Sequence, residues 1–352
     1  MARRDSCGSV AALKTSLVIV GGGLAGLSLA AGLRMRGVGV TVHEAGHYPR
    51  HRVCGEFISG VERSTLEALG IAELFDDARL HRSVVWYHGD QRIHENCLPA
   101  PAYGMSRYRL DLRLVQRVEH LGGDVRQGHR GPRQGDPGTV WAAGRMAAES
   151  PWIGLKAHFL NLPMSADLEM HVGKNGYAGL AGVEDGRVNV CGLFRLDRAR
   201  RGKGSALQLD YLRAGGLGAL ADRLAHARPD EGSFKGVSAL QLGWQETDHP
   251  GLFSIGDAAA MIPPFTGNGM SMAFQSAESA LDPLTAWSTG DCSWPEAIAV
   301  IQTSLRQRFS GRLRAAALLQ NLLGHPVGRG LMNSLGRSGL LPFRPLLALV
   351  RQ

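Results

Sequence analysis

The sequence predicts an α/β fold, a parallel sheet packed with helices and interrupted by a β-rich region, and three segments of the 352-residue chain carry that prediction. The first is Leu17-Val-Ile-Val-Gly21-Gly22-Gly23-Leu24-Ala25-Gly26, followed by Val40-Thr-Val-His-Glu44. The second is Leu252-Phe-Ser-Ile-Gly256-Asp257, which leads through Pro263-Pro264 to Gly267-Asn268-Gly269. The third is the series of short strand-like runs between Pro151 and Leu242 that separates them.

Each piece has its own physical reason. Leu17 to Val20 is a continuous apolar run bounded by glycine, as a strand buried on both faces requires. Gly21 makes the tight turn, Gly23 leaves room for phosphates, and Gly26 lets helix and strand pack closely. The helix expected over residues 24–36 then aims its first N–H groups at a pyrophosphate and stops at Gly37. A strand over 38–43 follows. It ends at Glu44, where a carboxylate accepts both ribose hydroxyls of an adenosine and disfavours a 2′-phosphate. A merely Gly-rich turn has no need of strand, helix, second strand and acid in that order.

Composition narrows the function. With 44% hydrophobic and 20% charged residues the chain is globular, long enough for one large or two ordinary domains. Five cysteines (7, 54, 97, 191 and 292) form no C-x-x-C pair, which fits a reducing, cytoplasmic compartment and gives no zinc spacing. Leu17 to Leu33 is uncharged, but it contains five glycines and falls short of the roughly 20 residues of a span. The net charge of +8 comes from scattered arginines without interleaved stacking aromatics, so nucleic acid is not an expected partner. Between Arg306 and Arg351 arginines are spaced through Leu, Ala and Val. Helices packing on the core with solvated arginines are expected there, with peripheral contact of 339–350 on anionic lipid as the alternative. No H-E-x-x-H, P-loop or G-x-S-x-G is present, and no metal site is expected.

The Gly256-Asp257 and Gly267-Asn268-Gly269 segments, taken with the N-terminal fingerprint, resemble the FAD-binding pair of the p-hydroxybenzoate hydroxylase and geranylgeranyl reductase superfamily. The resemblance implies a Rossmann-like FAD-binding domain with an inserted β-rich substrate domain and C-terminal helices. It also implies that Asp257 holds the ribityl chain of non-covalent FAD, with Gly256, Pro264, Gly267, Asn268, Gly269 and Met270 around it. N–H groups of Gly267–Met270 at a helix N-terminus face the flavin N1–C2=O edge, where charge builds up on reduction.

Arg50-His-Arg52-Val-Cys54-Gly55-Glu56 resembles the Arg-x-x-Cys-Gly segment of geranylgeranyl reductase-like flavoproteins, which brings the chain closest to that branch. It implies that Arg50 or Arg52 neutralises the pyrophosphate and that Cys54 lies near the flavin ring, as a proton donor or as plain packing; Glu56 is expected to cap a helix beginning near Val61. Arg107-Tyr-Arg109-Leu110-Asp111 resembles the superfamily's Arg-x-x-Leu-Asp, which places Arg107 on the adenine side of FAD. Ala143-Gly144-Arg145 stands where the superfamily has Asp-Gly-Arg, and the missing aspartate speaks against conventional NADPH handling.

The resulting domains are 1–149 and 251–290 for FAD, 150–250 for substrate and 291–352 for C-terminal helices. In the substrate domain Trp152, Gly154, Lys156 and His158 alternate onto one face, so Lys156 and His158 are candidates for catalysis or substrate contact, with a solvated polar face as the alternative. Strands are expected at 168–172, 176–183, 187–195 and 236–242, with a helix over about 206–227. Gly176-Tyr177-Ala-Gly179-Leu-Ala181 keeps only the Gly-Tyr of the reductases' Gly-Tyr-x-Trp-x-Phe-Pro, and no Trp-x-Trp-x-Ile-Pro of flavin halogenases occurs. The expectation is an FAD-dependent oxidoreductase that reduces a carbon–carbon double bond of a hydrophobic small molecule by hydride transfer from flavin N5. A single-component monooxygenase acting on an aromatic or polyketide ring is the alternative, and an electron-carrying flavoprotein the third. With no second G-x-G-x-x-G, the donor is a transiently bound NAD(P)H or a reduced carrier protein.

Overall fold

The computed structural model describes residues 15–338 and 345, apart from 146–148, 239, 247–248 and 250. Five parallel strands lie in the order Phe253–Ser254, Thr139–Trp141, Leu17–Val20, Val40–Glu44 and Asp124–Gln127. Leu17 pairs with Val40 on one side, and Val18 pairs with Thr139 on the other. Leu17, Ile19, Val42 and Val140 are wholly buried, as a sheet packed on both faces requires. The helix Leu24–Met35 packs against Arg107–His120 and against Gly269–Thr289, on which the long helix Trp294–Gly324 packs in turn. That long helix opens with a capping box from Ser293 and Glu296 and buries Ile301, Leu305 and Phe309 in the same core.

A second sheet of eight strands runs Arg228–Ser238, Trp152–Leu160, Arg187–Arg195, Gly176–Gly182, Leu168–Val172, Arg79–His88, Gln91–Gly104 and Phe57–Ile58. Among the described residues, only the pairing of Arg79–His88 with Leu168–Val172 is parallel in this sheet. One side of this sheet carries its own core, in which Leu155, Ala157 and Phe159 meet Tyr211, Leu212, Leu220 and Leu224 of two helices. The intervening positions Gly154, Lys156 and His158 fall on the opposite side, because successive strand residues alternate.

Strand and helix boundaries near the glycine motifs agree with expectation, and the departures have local causes. The helix expected over 206–227 is two, Gly204–Ala214 and Gly218–Ala225, broken where Gly216 takes φ 78°. The strand expected at 236–242 begins at Arg228 and shifts register between Asp230 and Lys235. The long hairpin Arg79–Gly104 joins the second sheet from before residue 150, and Asp124–Gln127 adds an edge strand to the first. Neither element was expected from sequence.

Helices do occupy residues 294–324 and 326–337, yet not every arginine there is solvated: Arg312 is buried and donates to Gln275 Oε1 at 2.6 Å. No helix among the described residues is long and apolar enough to cross a membrane, and 339–350, where lipid contact was the alternative, lies outside them apart from residue 345.

Candidate FAD and substrate site

The glycines of the first turn divide as their spacing predicts. Gly21 has φ 116°, and a Cβ there would stand 2.3 Å from the Ala142 carbonyl oxygen; a Cβ at Gly26 would stand 2.1 Å from the Gly21 oxygen. A Cβ at Gly23 would meet no protein atom within 4 Å. The first two glycines are therefore required by the protein itself, whereas Gly23 faces a cavity. Gly55 and Gly269 likewise face open space and line the same cavity. Gly267 takes φ 68° beside the Phe57 ring and closes the short turn Pro264–Thr266 ahead of the helix Gly269–Thr289.

Glu44 sits buried at the end of its strand, accepting from Gly22 N at 3.0 Å and Gly46 N at 2.8 Å and pairing with Arg50 at 2.6 Å. Burial alone would raise its carboxyl, but the Gly46 N–H and the two nearby arginines hold it below the ordinary carboxylate range. Asp111, wholly buried, binds Arg107 through two contacts of 2.7 and 2.9 Å and Arg52 Nε at 3.0 Å. Arg52 Nη2 is buried without a hydrogen-bond partner, 3.6 Å from Glu44 Oε2. Asp257 also lines the cavity; burial pushes its carboxyl up, against the pull of Arg107, Arg145 and Arg52. Open glycines, an unsatisfied guanidinium N–H and a carboxyl without a bound cation together suit a phosphate- and hydroxyl-bearing cofactor. These residues fit FAD.

The cavity holds about 540 Å³ and passes from this cradle into the second sheet. Beyond Pro264, Gly267 and Met270 its wall becomes apolar: Val84, Trp86 and Leu98 from the hairpin, then Met170, Tyr177 and Leu193. Gly179 and Ala181, where the reductases carry tryptophan and phenylalanine, line it too. Cys54 lies on the wall with its thiol raised by burial, so it remains protonated at neutral pH.

Lys156 and His158 do not line this cavity. Both are buried behind it, with Lys156 Nζ 3.2 Å from Glu56 Oε1 and His158 Nε2 2.5 Å from Glu56 Oε2. The solvated-face alternative for the strand is thus excluded at these positions. Glu56 does not cap the short helix Arg63–Ala68; its Oε1 accepts from Arg107 N at 3.0 Å and caps the helix Arg107–His120, beside the N-cap Ser106. The cause is tertiary: Glu56 takes φ 53°, and Lys156 and His158 draw its carboxylate towards the second sheet. Burial would raise the Glu56 carboxyl, but the His158 bond and the Lys156 charge hold it low.

His51 completes the group. It lines the cavity, and its Nδ1 lies 3.2 Å from Lys156 Nζ, while burial and the Lys156 charge lower it to about 4. His51, Glu56 and His158 could converge on a metal ion, but the Lys156 ammonium already supplies a cation to both Glu56 and His51. Sequence reasoning missed Glu56 and His51 as partners of Lys156; the only available signal was two polar residues at alternate positions of a strand.

Residues 14–160 match the family described as an FAD binding domain. That part of the chain is an FAD-binding domain. No curated protein matches the sequence. Among solved structures, PqsL of P. aeruginosa in complex with 2-aminobenzoylacetate is similar at 18% identity, covering 92% of this chain and 98% of that one, with a TM-score of 0.72. The p-nitrophenol 4-monooxygenase PnpA from Pseudomonas putida DLL-E4 is 14% identical over 96% of this chain and 98% of its own, with a TM-score of 0.73. The flavin-dependent brominase Bmp2 is 16% identical over 96% and 94%, also at 0.73. Likeness at such identities is one of fold, extending over both sheets. The family match thus carries FAD binding by residues 14–160, and the structural likeness carries the two-sheet fold.

Proposed function

We propose that the protein is a flavin monooxygenase that inserts one oxygen atom into an apolar, ring-bearing small molecule. The observation that carries this is one continuous cavity, whose cofactor end is a cradle of open glycines and whose far end is an apolar chamber walled by the second sheet. Bound FAD, once reduced, supplies oxygen activation. The chain's residues do the remainder. Arg52 would hold the phosphates, Arg107 would stand on the adenine side, Asp257 would hold the ribityl chain, and N–H groups of Gly267–Met270 would face the ring edge where charge builds up on reduction. The chamber wall excludes water and orients the substrate carbon. Electrons come from NAD(P)H or a reduced carrier protein bound transiently. The shared fold with flavin monooxygenases supports this choice over double-bond reduction.

The test is to reduce the FAD-loaded protein anaerobically and offer phenols and alkenes with and without oxygen. Products heavier by one oxygen, formed only with oxygen present, are expected. Products heavier by two hydrogens, formed without oxygen, would establish the double-bond reductase instead. That second reading is supported by the half-buried, protonated Cys54 on the cavity wall, and it requires that Cys54→Ala slow flavin reoxidation by an alkene.

A further inference from the structure

Beside the main cavity lies a smaller one of about 50 Å³, and the two share Trp86, Met170, Tyr177, Leu193 and Phe265 as a common wall. Their linings differ in kind. The small pocket adds Lys174, Asn175, Arg195 and, from the long C-terminal helix, Gln320. Among the described residues no carboxylate lines it. On its wall the buried Tyr177 hydroxyl and Gln320 Oε1 have no hydrogen-bond partner among the described residues.

Orphaned polar atoms in a native fold cost free energy, and two on one small pocket mark the place of a ligand group. Burial raises the Tyr177 phenol far above its ordinary value, so it stays a donor. Gln320 presents its NH₂ after half a turn of the amide. Arg195 lies with Cζ 5.6 Å over the Trp152 ring, and neither it nor Lys174 pairs with a carboxylate among the described residues. Four donor-bearing side chains, two of them cationic, therefore line a space the size of one carboxylate.

Resting on the proposed function, we infer that the substrate is a ring-bearing acid: its apolar body occupies the main chamber, and its carboxylate, on a short arm, enters this side pocket. Tyr177 stands at the junction, its ring edge-on to Phe265 at 6.1 Å, and Phe265 follows Pro264 in the cofactor turn. Anchoring the arm at Tyr177, Arg195 and Gln320 would thus fix which ring carbon faces the flavin.

The probe pair is 3-phenylpropanoate and its neutral isostere 3-phenylpropanamide, titrated into FAD-loaded protein and followed by the flavin absorption band and tryptophan fluorescence, without turnover. The acid should bind about tenfold more tightly than the amide at low salt, and added salt should weaken the acid alone. Arg195→Gln and Lys174→Gln, both at exposed positions, should each remove several-fold of that preference, while Tyr177→Phe should weaken both ligands. Equal affinity for acid and amide in the unaltered protein overturns the inference, as do Arg195 and Lys174 variants that weaken both probes alike. Acid preference without oxygenated products would overturn oxygenation alone; oxygenation of neutral substrates without acid preference would overturn the carboxylate arm alone.

Discussion

The glycine cradle and the apolar chamber are two ends of one cavity built by opposite means. The cradle is mostly backbone: glycines that expose N–H groups, two short turns and helix N-termini, all set by residues close together in sequence. The chamber and the ion cluster behind it are side chains, gathered from residues as far apart as Glu56 and His158 or Trp86 and Gln320. Backbone sites tolerate little change of conformation but any change of neighbour; side-chain sites have the reverse sensitivity. The difference predicts where mutations separate folding from binding.

The sharpest break should come within the first turn itself. Gly21→Ala, strained at φ 116° and placed against the Ala142 backbone, should cost at least about 3 kcal/mol and yield little folded protein. Gly23→Ala should melt like the unaltered apoprotein yet fail to take up FAD, because its methyl occupies cofactor space alone. Thermal melting and flavin titration of the pair check this; equal loss of stability in both would erase the distinction.

Next in size is the side-chain end. Lys156→Met leaves the Glu56 carboxylate buried without its ammonium and should cost about 3–5 kcal/mol in urea unfolding. A loss below about 1 kcal/mol would mean that His158 and the Arg107 N–H suffice for Glu56.

Acid should expose a third weakness. His81 is wholly buried in the second sheet, and burial lowers it from 6.5 to about 4. The unfolded chain therefore binds its proton first, so stability is full above pH 6.5 and declines as pH falls towards 4. The contribution is at most about 3–4 kcal/mol, from 1.36 kcal/mol per pH unit over about 2.5 units. His81→Leu should flatten that limb of the stability–pH curve; an unchanged slope would assign it to other groups.

The smallest effect belongs to the cradle. Glu44→Ala should weaken FAD by about 1–3 kcal/mol, seen as faster flavin loss on dilution. Unchanged retention would leave Glu44 only its structural bonds to Gly22 and Gly46.

Legibility in the sequence followed the same division. The strand, turn and helix at 17–35, the acid at Glu44 and the helix after Gly267 were readable because each is dictated by neighbours within a few residues. The hairpin at 79–104 was not, since its polar, half-exposed residues give weak alternation and its partner strand at 168–172 lies far along the chain. Lys156 and His158 were visible as a face, but what that face meets was not. Glu56 was seen as a helix cap and assigned the wrong helix, because proximity along the chain favoured 63–68 while folding brought 107–120 to it.

By itself, then, the sequence determined the glycine-lined end of the cavity: which glycines must be bare, where the acid stands, and that the segment is of the FAD-binding kind. Backbone conformation is set locally, and local rules read it. Tertiary structure alone decided that Lys156 and His158 neutralise Glu56 instead of facing the cavity, and that Tyr177 and Gln320 share a pocket. Those contacts join residues tens to hundreds of positions apart, and only the packing of two sheets and a C-terminal helix brings them within reach.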